Sequence, residues 1–302
     1  MLDMPGSDRG RDELADYAEI AGRAHRALEP LHALSYFAPE VEQALVEAGL
    51  RPGRMAYFAS RAAPMGEVTA GVVTATFYNF HPELIARHIP RAWTLAGRER
   101  ILAARLAGVD RAYRRLLGDE LLASAELAEL AGLARNAIEA IGPEGRPLYA
   151  GHAELAWPEP AHLQLWHAAT LLREHRGDGH VAALVRRDLN GIDALVSHVA
   201  TGRGMTAAAA QRIRGWSDLE WQASIERLRG RGVVQSAGLA LTEAGLQLRA
   251  TVEGNTDEMA ILPWQRLGAT LAERVIELAK PMSRVAVANG AFPDGVFVSR
   301  SR

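Results

Sequence analysis

Apolar residues along the chain recur mostly every three or four positions, a period that predicts one helix after another. An amphipathic helix is expected over residues 11–29, stopped by Pro30. Further helical stretches are expected at 39–48, 53–63, 67–78, 82–88 and 93–117, with glycine and proline punctuating them. A second series follows at 160–173, 180–187, 191–200 and 207–213. Val233-Val234 and Leu239-Ala240-Leu241 flank a turn at Gln235–Gly238, which predicts a short two-strand ribbon. The fold class expected from this pattern is mainly α.

The region before the ribbon carries a clear helix start. Ser217 is a good N-cap, and Asp218 and Glu220 place negative charge at the positive end of the helix dipole. Leu219, Ile225 and Leu228 supply one apolar stripe, and Gly230 and Gly232 end the helix. After the ribbon, Thr242 to Gly245 opens another helix. Helix, hairpin, helix is the winged-helix order. The stretch RLRGRGVVQSAGLALTEAGLQLRATVE resembles the MarR family at its wing, where a Leu-Thr-x-x-Gly step leads into the dimerising helix. This resemblance spans residues 203–260 and implies DNA as a possible partner and a possible homodimer. The whole chain, most recognisably at WHAATLLREHRGDGH (166–180), also resembles a group of actinobacterial helix-turn-helix proteins, and no activity comes with that likeness.

Sliding the chain against itself brings Arg91, Thr94, Ala96, Arg100 and Ile101 onto Arg203, Thr206, Ala208, Arg212 and Ile213 at a constant offset of 112. The match continues through Arg115/Arg227, Leu116/Leu228, Gly118/Gly230 and the tetrads at 124–127 and 236–239. The expectation is therefore two tandem winged-helix-like repeats, the second with a short β-hairpin wing. The first would be degenerate over 80–140, with Leu121, Leu122 and Leu127 at the former wing. The organisation expected is a disordered tail at 1–10, a helical repeat at 11–145, a second repeat at 146–280 and a C-terminal tail at 281–302.

Composition narrows the chemistry. The chain has no cysteine, so disulfides, thiolate nucleophiles and Cys-ligated metal sites are excluded. With 34 basic and 36 acidic residues there is no global pull toward nucleic acid. All but one of the basic residues are arginine, Lys280 being the exception, a bias that reflects genome composition more readily than function. No apolar run approaches the ~20 residues of a membrane span, and the first residues lack the apolar core of a secretory signal, so a cytoplasmic location is expected. No P-loop, dinucleotide fingerprint or nucleophile elbow is present.

The densest polar cluster is Arg173-Glu174-His175-Arg176-Gly177-Asp178-Gly179-His180, read as a loop joining two helices. Two glycines permit close approach, and a following helix N-terminus offers free N–H groups to an anion. An exposed turn capped by Asp178 is the plainer reading. His175, Asp178 and His180 offer imidazole and carboxylate ligands, but their spacing matches no defined metal geometry, and neither a metal nor a cofactor is expected. Upstream, Tyr57, Arg61 and Met65 sit in an aromatic and methionine-rich stretch that reads as helical core or as the wall of a pocket. The favoured reading is non-catalytic binding of a small organic ligand, for sensing or sequestration, in a cleft between two halves. Its candidate residues are Tyr57, Arg61, Met65, Trp166, Thr170, Arg173, His175, Arg176, Asp178 and His180. The alternative is a ligand-responsive MarR-like regulator touching DNA through Ser217, Gln222, Arg227, Arg229 and Arg231, against which Asp218 and Glu220 at the reading end argue. An enzyme acting on nucleic acid or a small molecule is the third class.

Overall fold

The computed structural model describes residues 7–298, and the N-terminal tail expectation therefore lies partly outside the described residues. The first helix, α1 (Ser7–Ala33), runs through Pro30 rather than stopping before it. Its Ile20, Ala24, Leu28 and Leu31 form one buried stripe, the spacing that makes a helix face. Then follow α2 (Pro39–Glu47), α3 (Arg54–Ala62), α4 (Ala70–Phe77), α5 (Pro82–Ala86), α6 (Arg91–Leu95), α7 (Arg98–Leu122), α8 (Ala125–Ile138) and α9 (Pro147–Ala153). The chain continues with α10 (Ala161–Arg186), α11 (Gly191–Val199), α12 (Ala207–Arg214), α13 (Asp218–Gly230), α14 (Glu243–Glu258), α15 (Leu262–Leu267) and α16 (Ala269–Ala288). No described helix is long and apolar enough to cross a membrane.

Two hydrophobic cores organise these helices. The larger draws on α1 to α9, the first half of α10, and then α15 and α16, which bring the chain back after residue 260. The smaller draws on residues 183–252. Helix α10 belongs to both: Leu165, Trp166 and Leu171 lie in the first core, Ala183 and Leu184 in the second. In the larger body α1 packs along α16, α2 along α7, and α8 along α10.

Three expectations are corrected. The segment 173–180 is not a loop but the interior of a 26-residue helix. Its glycines serve packing: a Cβ on Gly179 would lie 2.9 Å from an Arg146 guanidinium nitrogen and 3.3 Å from Met259 Cβ. Here the helix sheds its side chain so that a neighbour can approach, which offsets the entropic cost of glycine.

The expected β-hairpin wing is absent: the described residues contain no strand. Between α13 and α14 the backbone makes one isolated antiparallel bridge, Val234 to Leu241, supported by Gln235 N–H donating to the Ala240 carbonyl at 2.9 Å and Thr242 N–H to the Val233 carbonyl at 3.0 Å. The ribbon has only two apolar residues on one side to bury, Val233 and Val234, while its turn residues are exposed, so pairing does not propagate.

The tandem winged-helix architecture is also overturned. Arg100 and Ile101 lie within the 25-residue α7, whereas their counterparts Arg212 and Ile213 close the short α12. Gly215 ends α12 at a left-handed φ of 80°. The position 112 residues earlier is Ala103, which cannot adopt that turn cheaply, and the helix runs on to Gly118. The apolar stripe of α13 is corrected as well: Leu219 is 82% exposed, and Trp221, Ser224, Ile225 and Leu228 face the core instead.

Candidate functional site

The helix-turn-helix proper is α12, the Gly215 turn and α13. Thr206 caps α12 by accepting from Ala209 N–H, and Ser217 with Glu220 forms a capping box on α13. Thr242 caps α14 by accepting from Gly245 N–H. The start of α13, which in such a motif would face DNA, is docked on the segment after α4. Trp216 Nε1 donates to the Asn79 carbonyl at 3.0 Å, and its indole meets the His81 ring edge-on with centroids 4.8 Å apart. His81 N–H donates to the Arg214 carbonyl, and its Nε2 lies 2.9 Å from Glu220 Oε1. Tyr78 hydroxyl donates to the Leu189 carbonyl at 2.6 Å. An N-terminal segment thus latches onto the unit from 189 to 220.

The five residues expected to touch DNA are placed as follows. Ser217 and Gln222 are exposed, the former engaged in its cap. Arg227 donates to Asp193 at 2.7 Å, and Arg229 to Glu226 and to the carbonyls of Gln235 and Gly238. Arg231 donates to the carbonyls of Arg187 and Asp188. Residues 203–260 hold seven arginines against seven carboxylates and so carry no formal charge. Helix α14, assigned to dimerisation by the MarR resemblance, packs on α1 and α10 of its own chain, with Arg176 of α10 donating to Asp257 and Glu253.

Between the two cores lies a cleft made of two adjoining spaces of about 840 Å³ and about 410 Å³, which share Tyr57, Phe80, Arg173, Met205, Arg214 and Phe297. The C-terminal segment runs across it. Phe292 and Phe297 cluster with Phe37, while Thr206 N–H donates to the Val296 carbonyl at 3.0 Å and Val298 N–H to the Gly204 carbonyl at 2.8 Å.

Behind two lining residues of the cleft, Arg61 and Arg173, sits Glu174, fully buried. Arg61 donates to it from Nε at 3.2 Å and from Nη2 at 3.1 Å, Arg173 from Nη1 at 2.7 Å, and the Tyr36 hydroxyl at 3.4 Å. Burial works against its charge, but Arg173 and Arg61 outweigh that and hold the carboxyl well below the usual carboxylate range. Burial likewise raises the Tyr57 phenol, yet Arg61, Arg214 and Arg173 together bring it below its ordinary value. Two guanidinium groups, Arg61 and Arg173, therefore share one carboxylate, and Arg214 adds a third positive charge beside Tyr57. Arg214 lies 4.0 Å from the Phe80 ring centroid, and Arg61 lies 4.3 Å from that of Phe77.

Two cations at this cleft keep unpartnered donors. Arg249, buried on α14, donates from Nη2 to Glu253 at 2.8 Å, and its Nε and Nη1 have no acceptor among the described residues. Nor has Nε of Arg214. Burial pulls both guanidinium groups below their ordinary value. Such donors lack an acceptor.

Of the ten sequence candidates, Tyr57, Arg61, Arg173, Arg176 and His180 line the cleft. The other five do not. Met65 packs in the core of the larger body, and Thr170 is a core residue 3.0 Å from His32 Nδ1. His175 packs edge-on against Tyr149, and Asp178 accepts from Tyr149 N–H at 3.0 Å; burial pushes Asp178 up to about 6 and His175 down to about 3. Trp166 faces a separate cavity. A helix turns successive side chains through about 100°, so a contiguous cluster in sequence is spread around its circumference. Arg214, Arg249 and Phe297 are cleft residues that sequence reasoning passed over, as is Glu174 behind the cleft wall. Nothing local distinguishes Arg214 and Arg249 among so many arginines, and Glu174 stands in the sequence as one charge of an expected exposed turn.

No curated protein and no solved structure matches the chain. A family model described as a helix-turn-helix family matches residues 21–293, which spans both cores and the α12–α13 motif. The chain belongs to that helix-turn-helix family.

Proposed function

We propose that this family member binds a small anionic ligand with an aromatic or apolar part in the cleft between its two cores, the helix-turn-helix unit forming one wall. The observation that carries this reading is the buried Arg249 and the partly buried Arg214, whose enclosed, unpartnered N–H groups border a space walled by Tyr57, Phe77, Phe80 and Phe297. An unmatched buried donor costs ~1–3 kcal/mol, and a charged acceptor recovers it. Apolar walls with few convergent polar groups are the usual build of a ligand site. Thermal-shift screening of aromatic and aliphatic carboxylates and phosphates tests it, because a ligand that binds only the folded chain raises Tm. Hits should lose at least tenfold in affinity in Arg214→Met and Arg249→Met. A screen in which no anion raises Tm, or hits indifferent to both changes, overturns the reading.

A second reading, a DNA-binding regulator responsive to that ligand, is favoured by family membership and by the α12–Gly215–α13 geometry. It requires the start of α13 to leave Asn79 and His81. The neutral charge of residues 203–260 and the engagement of Arg227, Arg229 and Arg231 argue that the docked form binds duplex DNA no better than about micromolar, the non-specific range. Gel retardation at 150 mM salt, with and without a cleft ligand, separates the two. Sequence-selective retardation at nanomolar protein supports regulation.

A further inference from the structure

A second cavity, of about 210 Å³, lies away from the cleft between α7, α9 and α10, walled by Leu102, Leu106 and Leu155. Three buried polar side chains line it, each with an atom that no protein group satisfies: Arg105 Nη2, Trp166 Nε1 and His167 Nε2. Arg105 is 2% exposed, Trp166 4% and His167 3%. All other members of the cluster are accounted for. Arg105 Nη1 donates to the Ser60 carbonyl at 3.3 Å and lies 3.1 Å from His152 Nε2. His152 Nδ1 donates to the Leu148 carbonyl at 2.8 Å, so His152 presents a lone pair, not a proton, to the guanidinium. The guanidinium carbon stands 4.8 Å from the Trp166 ring centroid, and the Trp157 ring meets His167 edge-on at 4.6 Å. No carboxylate hydrogen-bonds Arg105.

We infer that this cavity is a binding site for a small monocarboxylate, its carboxylate held by Arg105 Nη2 and Trp166 Nε1 with His167 beside it, and its short aliphatic chain or single ring against the leucines. Several features point to this class. A guanidinium and an indole N–H are donors only, so the missing partner is an acceptor, and a buried cation that no carboxylate among the described residues hydrogen-bonds, Glu174 acting on it only from a distance, favours an anion. The imidazole of His167 is neutral, burial and then Arg105 pushing it down to about 4, so it can present an N–H without adding a second charge. Mostly apolar walls and a volume below that of drug-sized pockets favour one acidic head on a compact apolar body over a phosphate ester. Exposed Ala103 and Ala156 at the rim let a ligand enter without unfolding. The site shares no lining residue with the cleft, so it stands independently of the function proposed above.

The test uses the full chain with benzoate and hexanoate as probes and benzamide and hexanol as uncharged isosteres, followed by calorimetry and tryptophan fluorescence. A saturable one-to-one complex with at least one acid is expected, at least tenfold tighter than with its isostere. Trp166→Phe, which keeps the ring and removes the donor, should weaken it at least fivefold, and Arg105→Met more. Leu219→Ser, an exposed position outside both sites, should leave it unchanged. Circular dichroism of each variant distinguishes lost binding from lost folding, and Trp166→Phe decides the matter if Arg105→Met does not fold. The proposal fails if neither acid binds saturably, if acid and isostere bind alike, or if Trp166→Phe has no effect.

Discussion

Replacing Glu174 by glutamine probes the charge arrangement behind the cleft wall with almost no change of shape. The native carboxylate takes four hydrogen bonds, from Arg61 Nε and Nη2, Arg173 Nη1 and the Tyr36 hydroxyl, with no solvent exposure. Glutamine keeps one acceptor oxygen and turns an NH2 group toward a guanidinium. It leaves Arg61, itself 6% exposed, without a counter-charge. Removing one partner of a buried pair costs ~3–5 kcal/mol. At ~2 °C per kcal/mol for a chain of this length, the Tm of Glu174→Gln should fall by ~6–10 °C. Arg173 is about a quarter exposed and can turn to water, so Arg61 carries most of the loss. The pH dependence has a definite sign. A carboxyl held below its unfolded value stabilises the fold above about pH 4.3, and that contribution is lost as pH falls through the folded value. The Tm gap between native and variant should therefore be full from pH 8 to about pH 5 and narrow in stronger acid. Thermal melts across this pH range, with urea denaturation at pH 7 for the free energy, both followed by circular dichroism, measure these quantities. A gap below about 1 kcal/mol at pH 7, or one that widens in acid, would refute the reasoning. Adding Arg61→Met to a Glu174→Leu variant should cost clearly less than the sum of the single changes, because both charges then leave together.

Other predictions follow from the same structure. His152 and His175 are pushed down to about 3, and His167 and His180 to about 4, burial being the largest cause in each. Below about pH 6.5 the unfolded chain takes up protons that these sites refuse, so the urea midpoint should drop steadily from pH 7 to pH 5; a flat profile would contradict their neutral burial. A Cβ on Gly191 would lie 2.1 Å from the Tyr78 carbonyl oxygen, so Gly191→Ala should loosen the latch on the helix-turn-helix unit and cost ~1–3 kcal/mol, read as faster amide exchange in α11. Leu219→Ser, on an exposed position of α13, should change stability by no more than ~0.5 kcal/mol, as measured by urea midpoint.

Much of the local structure was legible in the sequence because its causes are local. Ser217 with Glu220 three residues on, Thr242 before Gly245 and the prolines that open α2, α5 and α9 mark helix starts through bonds and dihedral limits within four residues. The order of helices around Gly215 was legible for the same reason. Residues 173–180 were not, because two glycines and a run of charges normally mean a turn, and what makes them helix is distant: Arg146 against Gly179, Asp257 and Glu253 against Arg176, and Arg61 against Glu174. The tertiary structure likewise decided that the two halves differ, since one long helix in the first stands where a helix, a glycine turn and a helix stand in the second. Which arginines border a cavity with an unpartnered N–H is likewise a matter of tertiary structure. Among 34 basic residues nothing local separates Arg105, Arg214 and Arg249 from the rest; what sets them apart is an N–H without an acceptor, which Arg187 shares, together with a place in a cavity wall, which it does not, and both belong to the packing of helices far apart in the chain.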